Sequence, residues 1–428
     1  MDCPMTSDPS HTGSSSALTL TARDVLASPS VLAFLVSQFV VTTGVMLQAA
    51  ALGKHVYDIT GDEINIGWLG LAEFLPAAVL VLVTGTVADR FNRKYVGMMA
   101  LVGEAMSAVA LLLYARTNPT SAAPMFLIAV VFGASRAFAA PSIRSIVPMI
   151  APEGGLPRVV ALYSATWTSA AIIGPAVSGF LYSVDPSVAY GGAVVLMTIG
   201  IAALSRVPVP HVRVPREEQE RPTLRHALEG LHFIRRTPVL FAAISLDLFA
   251  VLFGGAVALL PVIAEERLGV GDVAYGWLRA AGGIGAAIMA LALASYPIRR
   301  RIGRILYLVV AIFGLATIVL GLTRSFWVAF FAVIVASAAD MVSVFIRGSL
   351  VPLVTPDDKR GRVNAVENVF IGASNELGAF ESGVVSSAIG TPATVVGGGI
   401  ATVAIVGAFW VGFPALRDVD RFEDLETQ

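Results

Sequence analysis

Nine ionisable side chains interrupt stretches of otherwise apolar sequence: Glu73, Glu104, Arg136, Asp247, Arg279, Asp340, Glu367, Glu376 and Glu381. A charge at the centre of a bilayer costs at least about 2.5–3.5 kcal/mol on insertion scales, so each is a functional candidate. A carboxylate can take up and release a proton, and a guanidinium can hold a carboxylate until that acid is neutralised. The chemistry suggested is movement of protons and charges. The five histidines, His11, His55, His211, His226 and His232, read as lying outside the apolar stretches, which leaves proton exchange to the acids. There is no G-x-x-x-x-G-K-S/T, H-E-x-x-H or G-x-S-x-G pattern, so ATP-driven pumping by this chain and familiar hydrolase chemistry lose support. The chain reads as not an enzyme. Cys3 is the only cysteine, which excludes intrachain disulfides and thiolate metal sites, and no metal or organic cofactor is expected.

The elements that must position these charges are membrane helices. Of 428 residues, 56% are apolar and 14% charged, against roughly 45–50% and 25% in an average soluble domain. Apolar runs near the spanning length of about 20 residues fall at about 31 to 52, 64 to 88, 95 to 115, 123 to 146, 158 to 183 and 188 to 205. Six more fall at about 238 to 264, 273 to 298, 303 to 322, 326 to 350, 362 to 388 and 391 to 413. The chain is also a duplication. A shift of 204 lays Ser145, Val147, Pro148, Pro152, Arg158, Val159 and Ala161 on Ser349, Val351, Pro352, Pro356, Arg362, Val363 and Ala365, and a shift of 209 lays Gly67, Trp68 and Leu69 on Gly276, Trp277 and Leu278. The expected fold is an all-α membrane protein of twelve transmembrane helices in two pseudo-symmetric six-helix bundles, as in transporters that build one site between two repeats.

Of the 29 Lys and Arg residues, 23 fall on the amino-terminal side of the spans; Lys54, Arg116, Arg267 and Arg324 fall opposite, and Arg136 and Arg279 within. The positive-inside rule places both termini in the cytoplasm, with the chain in the inner cell membrane. The expected division is a disordered N-terminus at 1–30, a first bundle at 31–205, a linker at 206–237, a second bundle at 238–413 and a solvated tail at 414–428. There is no signal peptide pattern. Within the linker, Leu224, Ala227, Leu228, Leu231 and Ile234 recur at helical spacing, as in an interfacial amphipathic helix; a passive helix tying the halves together is the first reading and a hinge or regulatory element the second.

Between the second and third spans the sequence reads Gly85, Thr86, Val87, Ala88, Asp89, Arg90, Phe91, Asn92, Arg93, Lys94. This resembles the signature cytoplasmic loop of the major facilitator superfamily, with Asn92 where Gly is usual. Arg136 resembles the buried arginine of drug-exporting members, although Ala139 and Ala140 replace the usual Gln and Gly. Gly174, Pro175, Ser178 and Gly179 are close to the fifth-span motif of antiporters, and close packing by small residues is the other reading of that run. Across its length the chain looks most like the branch of enterobactin exporters, macrolide efflux proteins and Tap-type drug pumps, carried by Thr237, Pro238, the amphipathic helix and the run Gly361, Arg362, Val363, Asn364.

The resemblance implies a major facilitator fold and a gating loop of Gly85, Asp89, Arg90, Arg93 and Lys94. In it, Asp89 would cap the start of the eleventh helix at Gly361 to Asn364 and hold the cytoplasmic side shut. Plain positive-inside charge is the alternative for the basic members. It also implies that the first, fourth, seventh and tenth spans line the cavity. Arg136 and Asp340 occupy equivalent points of the fourth and tenth spans and are expected to face each other, either as a proton-sensitive pair or as a permanent structural one. Asp247 and Gln38 are register mates expected in the same cavity. Glu104, Glu376 and Asn375 complete the candidate pathway, and Glu73 and Arg279 could pair at the external mouth. The expected function is export of small amphipathic molecules, drugs or siderophore-like metabolites, coupled to protons. A lipid or lysophospholipid transporter and a non-transporting sensor or assembly factor are the alternatives. Partners are then a small-molecule cargo and the bilayer, without nucleic acid, for a monomer.

Overall fold

Twelve long helices account for most of the chain in a computed structural model. It describes residues 21–209 and 224–425, with the side chains at 22, 81–83, 85–90, 224–228 and 357–358 outside that description. The helices are α1 (Ala22–Leu26), α2 (Pro29–Thr60), α3 (Ile64–Arg90), α4 (Arg93–Ala115), α5 (Ala123–Arg144), α6 (Val147–Ile150), α7 (Leu156–Tyr182), α8 (Pro186–Ser205), α9 (Leu224–Arg236), α10 (Pro238–Gly254), α11 (Leu260–Val262), α12 (Asp272–Ser295), α13 (Ile302–Leu322), α14 (Phe326–Val354), α15 (Asp357–Ile389), α16 (Thr391–Gly412) and α17 (Pro414–Arg417). Among the described residues, nine helices are long and apolar enough to cross a membrane. The other long ones depart for visible reasons. The described part of α3 is apolar over Ile64–Leu80, α10 has 17 residues, and α15 carries Glu367, Glu376 and Glu381 along its length.

The duplication survives in the packing. In the first half α2 lies against α7 and α8, α5 against α3 and α4, and α4 against α8; in the second, α10 lies against α15 and α16, α14 against α12 and α13, and α13 against α16. Each half keeps its own apolar core. The halves meet along α7 with α12 and α3 with α15, themselves equivalent pairs. An apolar side chain gains little by leaving lipid for another helix, so close backbone approach decides such crossings. Gly179 and Gly276 meet there: a Cβ on Gly179 would lie 2.7 Å from the Gly276 Cα, and one on Gly276 2.6 Å from the Pro175 carbonyl. Gly133 serves the same end inside the first half, where a Cβ would collide with the Glu73 carbonyl.

Four segments differ from the sequence reading. Residues 21–27 are ordered as a capped turn: Thr21 and Asp24 exchange side-chain and backbone bonds, Val25 is fully buried, and the Thr21 donors hold the Asp24 carboxyl below its usual range. Residues 1–20 and 210–223 lie outside the described residues. The amphipathic α9 forms, and its Ile234 is buried against Leu240, Val351 and Val363, so its described residues pack on α10 and α15 of the second half. It turns into α10 through a 104° bend at Thr237 and Pro238, where proline at the first helical position has no amide to leave unbonded. The seventh span is broken at Gly254 and resumes as α11 and a π-turn over Ile263–Arg267. The tail docks: Leu416 is buried, and the amides of Ile302 and Gly303 donate to the Asp420 and Val419 carbonyls.

Gly133→Val places a branched side chain against the α3 backbone. Overpacking of this kind costs about 1–3 kcal/mol, so the detergent-solubilised variant is expected to melt at a lower temperature; an unchanged melting temperature would show that α3 and α5 are not held this closely.

Candidate functional site

With an even number of long helices, the start of α2, the end of α8, α9 and the end of α16 share one face, here the terminal face; the opposite one is the far face. Between described residues, every hydrogen bond joining the two halves lies at the far face. Lys54, near the end of α2, bonds Asp58 on its own helix and reaches Glu265 at 3.0 Å and Asp272 at 3.6 Å in the second half. Tyr57 donates to Glu266 at 2.6 Å, Tyr275 to the Ala50 carbonyl at 3.1 Å, and Thr391 to Glu63 at 3.2 Å. The far face is sealed by charge and by glycine contact. His55 sits behind this seal, buried, with Nδ1 3.1 Å from the Tyr190 hydroxyl. The sequence reading left it outside the spans because α2 runs on to Thr60, past the apolar run.

Towards the terminal face the equivalent helices α5 and α14 expose equivalent stripes, Arg136, Ala140 and Arg144 on one and Val344 and Gly348 on the other. A 204-residue shift maps 140 to 344 and 144 to 348. Beneath the seal, groups from both halves come within electrostatic reach. Glu376 of α15 feels Glu73 of α3, Arg136 of α5 and Arg279 of α12; Glu73 feels Arg136 and Arg279. The Glu376 carboxylate points at Gly70, where a Cβ would be 2.8 Å from its Oε2. Arg136 makes no hydrogen bond or ion pair with any described residue, and Arg279 bonds the Tyr275 hydroxyl at 3.4 Å and pairs directly with no described acid. Glu73 and Arg279 are thus neighbours in this group and not a bonded pair. Glu104 is 3% exposed and has Arg136 as its electrostatic neighbour. Asn375 is exposed, its side-chain amide donating to the Ile371 carbonyl at 2.8 Å.

A second group lies wholly inside the second half. Arg347 of α14 is 4% exposed; its Nη2 is 2.8 Å from Asp247 Oδ1 on α10, and its Nη1 is 3.7 Å from Glu367 Oε1 on α15. Ser343 bridges the Arg347 Nε at 3.4 Å and Asp247 at 3.5 Å. Asp340 shares a narrow crevice with Asp247, Ala250, Phe313, Ala339 and Ser343 and feels both Asp247 and Arg347. The structure therefore does not bring Arg136 and Asp340 together. A pseudo-twofold axis relates equivalent positions without making them touch: Arg136 has Glu73, Glu104 and Glu376 as its electrostatic neighbours, and Asp340 has Asp247 and Arg347. Asp247 and Gln38 do not line an open cavity together either: both are buried, Asp247 on Arg347 and Gln38 with its Nε2 unbonded to any described residue. Arg347 is the residue that sequence reasoning missed, counted among the flanking positive charges. The available signal was its spacing, seven residues after Asp340 and so on the same helical face.

The signature loop is resolved in part. The side chains at Gly85, Asp89 and Arg90 lie outside the described residues. Asn92 caps α4, accepting from the Lys94 amide at 3.0 Å with φ −62°, a backbone that does not require glycine. Lys94 Nζ donates to the Ser205 and Val207 carbonyls at 2.7 and 2.6 Å, binding the end of α8 within the first half, so it makes no cross-half gate contact here. Arg93 is bonded. Gly361 to Asn364 lie in the second turn of α15, which begins at Asp357. In the antiporter-like run, Gly174 admits the Thr43 carbonyl of α2 and Pro175 and Gly179 admit α12. These residues act in packing on both sides of α7.

Two equivalent six-helix halves meeting along two helix pairs, with ionisable groups of both halves beneath a far-face seal, are the architecture of secondary transporters. The Major Facilitator Superfamily profile matches residues 34–379, and the chain belongs to that family. Macrolide efflux protein A of Streptococcus pyogenes is 24% identical over 232 residues, 52% of this chain and 56% of that protein. The uncharacterised MFS-type transporter YfiS of Bacillus subtilis is 26% identical over 285 residues, 64% of this chain and 63% of its own. The matched regions thus span less than two thirds of these curated relatives. Among solved structures, a mutant of the nucleoside transporter NupG superposes with a TM-score of 0.68 at 15% identity, covering 90% of this chain and all of that one. A D-xylose–proton symporter gives 0.68 at 15% identity, covering 90% and 97%.

Lys54→Met leaves Asp58, Glu265 and Asp272 facing one another without their cation. A cysteine introduced by Ala50→Cys, buried beneath the seal, is expected to react with an impermeant maleimide from the far side at least about tenfold faster in that background, about 1.4 kcal/mol of lost closure. An unchanged rate would show that the lysine does not hold the halves together.

Proposed function

We propose that the chain is a proton-coupled exporter of small amphipathic molecules that works by alternating access. The observation that carries this reading is the seal at the far face: among the described residues the hydrogen bonds that clasp the halves lie there, while their equivalent helices α5 and α14 expose matching stripes towards the terminal face. The terminal face is the cytoplasmic one, on the distribution of Lys and Arg. In this orientation the cargo enters from the cytoplasm and meets Glu73, Arg136, Arg279 and Glu376 between the halves. Export is favoured by the similarity to a protein named for macrolide efflux. The carriers are carboxylates, Asp340 foremost, and the coupling ion replaces any bound cofactor. A monomer in the cell membrane suffices, since both halves of the site come from one chain.

Purified protein in vesicles tests the reading. With an acidic lumen, molecules inserted with the cytoplasmic face outward should accumulate a radiolabelled macrolide or another amphipathic drug. A gradient of one pH unit is worth about 1.4 kcal/mol, or about tenfold in cargo for one proton exchanged. Asp340→Asn should abolish the gradient-driven part and leave the protein inserted. Cargo movement indifferent to the gradient, or full coupling in that variant, would contradict the proposal; lipid movement without a gradient would point to a lipid transporter instead.

A further inference from the structure

We propose that a pocket at the far face, between α7, α12 and α14, binds the ammonium of a small amphipathic cation, and that its occupation holds the halves closed. Trp277 and Asp272 of α12, Phe326, Trp327 and Phe330 of α14 and Ser183 at the end of α7 line it. Its volume, about 740 Å³, falls within the roughly 300–1,000 Å³ of small-molecule sites. The rings of α14 brace one another. Phe326 and Phe330 are stacked at 5.8 Å, and Trp327 meets them edge-on at 5.3 and 6.1 Å, so this wall is formed in advance.

The duplication shows what is particular to the pocket. A shift of 209 lays Glu63 and Trp68 on Asp272 and Trp277, and a shift of 204 lays Phe126 on Phe330. The first half accordingly has an equivalent cleft at Trp68 and Phe126, of about 340 Å³. There the Phe380 ring of α15 reaches over from the other half and lies 4.8 Å from Trp68. The position equivalent to Phe380 is Ala176, so Trp277 lacks that covering ring, while Phe326 and Trp327 stand where the first half has Ala122 and Ala123. One ring lost and two gained turn a filled contact into an open aromatic box.

Interfacial tryptophans ordinarily anchor a helix among lipid headgroups, and anchoring needs no acid. Asp272 supplies one. Its Oδ1 is 3.6 Å from Lys54 Nζ, and its Oδ2 bonds to no described residue. Lys54 is shared with Asp58 and Glu265, so these four groups carry a formal excess of two negative charges beside the box. A cation whose charge is spread over methyl groups suits both parts, since ring faces attract it and the acid lacks a full counter-charge. An uncharged ligand leaves the acid unanswered, and an anion is repelled by it. Ser183 belongs to the first half and the rest of the box to the second; one turn away Gly179 meets Gly276. Parting the halves at the far face takes Ser183 away from Trp277, so the box is complete in the sealed state. A ligand shifts an equilibrium by its differential affinity for the two states, and this one favours closure.

The test uses Ser183→Cys in a Cys3→Ser background, in lipid discs of phosphatidylglycerol, whose headgroup has no ammonium. Saturating benzyltrimethylammonium should slow maleimide labelling at the pocket by at least about threefold, and neopentylbenzene, its uncharged carbon isostere, should not. Asp272→Asn and Trp327→Leu should each abolish this protection, while Trp68→Leu, at the equivalent cleft, should keep it. With Ala50→Cys in place of Ser183→Cys, the same cation should slow labelling beneath the seal. Absence of protection, equal protection by the isostere, or protection that survives Asp272→Asn would reduce the pocket to an aromatic anchor and overturn the proposal. Labelling after Ala50→Cys that is unchanged or faster would overturn the claim that occupation holds the halves closed. Discs of phosphatidylethanolamine that protect the Ser183→Cys variant without added cation would give the pocket to a bilayer lipid, which also overturns it. No arm measures transport, so failure here and failure of the export reading are separate outcomes.

Discussion

Two backbone crossings set the terms on which the halves can move. α7 meets α12 and α3 meets α15 through glycines, so the contact is made by main chain and tolerates almost no side-chain volume. Such an interface is close-packed where it exists and offers little to hold a partly separated state. Among the described residues the additional cross-half hydrogen bonds gather at the far face, around Lys54, whose three acidic partners come from both halves, and beside it at Tyr57, Tyr275 and Thr391. A seal built from charges can be opened by neutralisation in a way that one built only from packing cannot.

The buried charges then divide by location. Glu73, Arg136, Arg279 and Glu376 come from both halves, so their mutual distances must change whenever the halves rock. Asp247, Arg347, Glu367 and Asp340 belong to one half and can keep their neighbours through a rigid-body motion. α10, which carries Asp247, continues past its break at Gly254 to the acids of the seal. Each ligand shifts the equilibrium only by its differential affinity for the two states.

The fold was legible because bilayer thickness fixes span length and duplication repeats it. The amphipathic α9 was legible from its 3.6-residue period, yet which half it covers depends on Ile234 meeting Val351 and Val363, long-range contacts that no local pattern encodes. The site was legible in part. Asp247, Asp340, Glu104 and Glu376 stand out as acids in apolar runs, whereas Arg347 hides near a span end where basic residues are ordinarily topological. Pseudo-symmetry misled for Arg136 and Asp340, because equivalence under a twofold axis is not proximity. Lys94 resembles a gate residue by sequence but finds helix-end carbonyls of α8 within reach. The curated relatives, 24–26% identical over parts of their lengths, and the structural neighbours at 15% leave cargo to be argued from the groups between the halves.

Reciprocal motion of the two faces tests the account most directly. Spin labels at cysteines introduced by Val184→Cys with Leu322→Cys report across the far face, and by Tyr95→Cys with Tyr296→Cys across the terminal face, all at exposed positions. With Cys3→Ser as background, acidification or added amphipathic cargo should change the far-face and terminal-face distances in opposite directions in the same sample. Distances that stay fixed, or that change in the same direction at both faces, would contradict alternating access by these two halves.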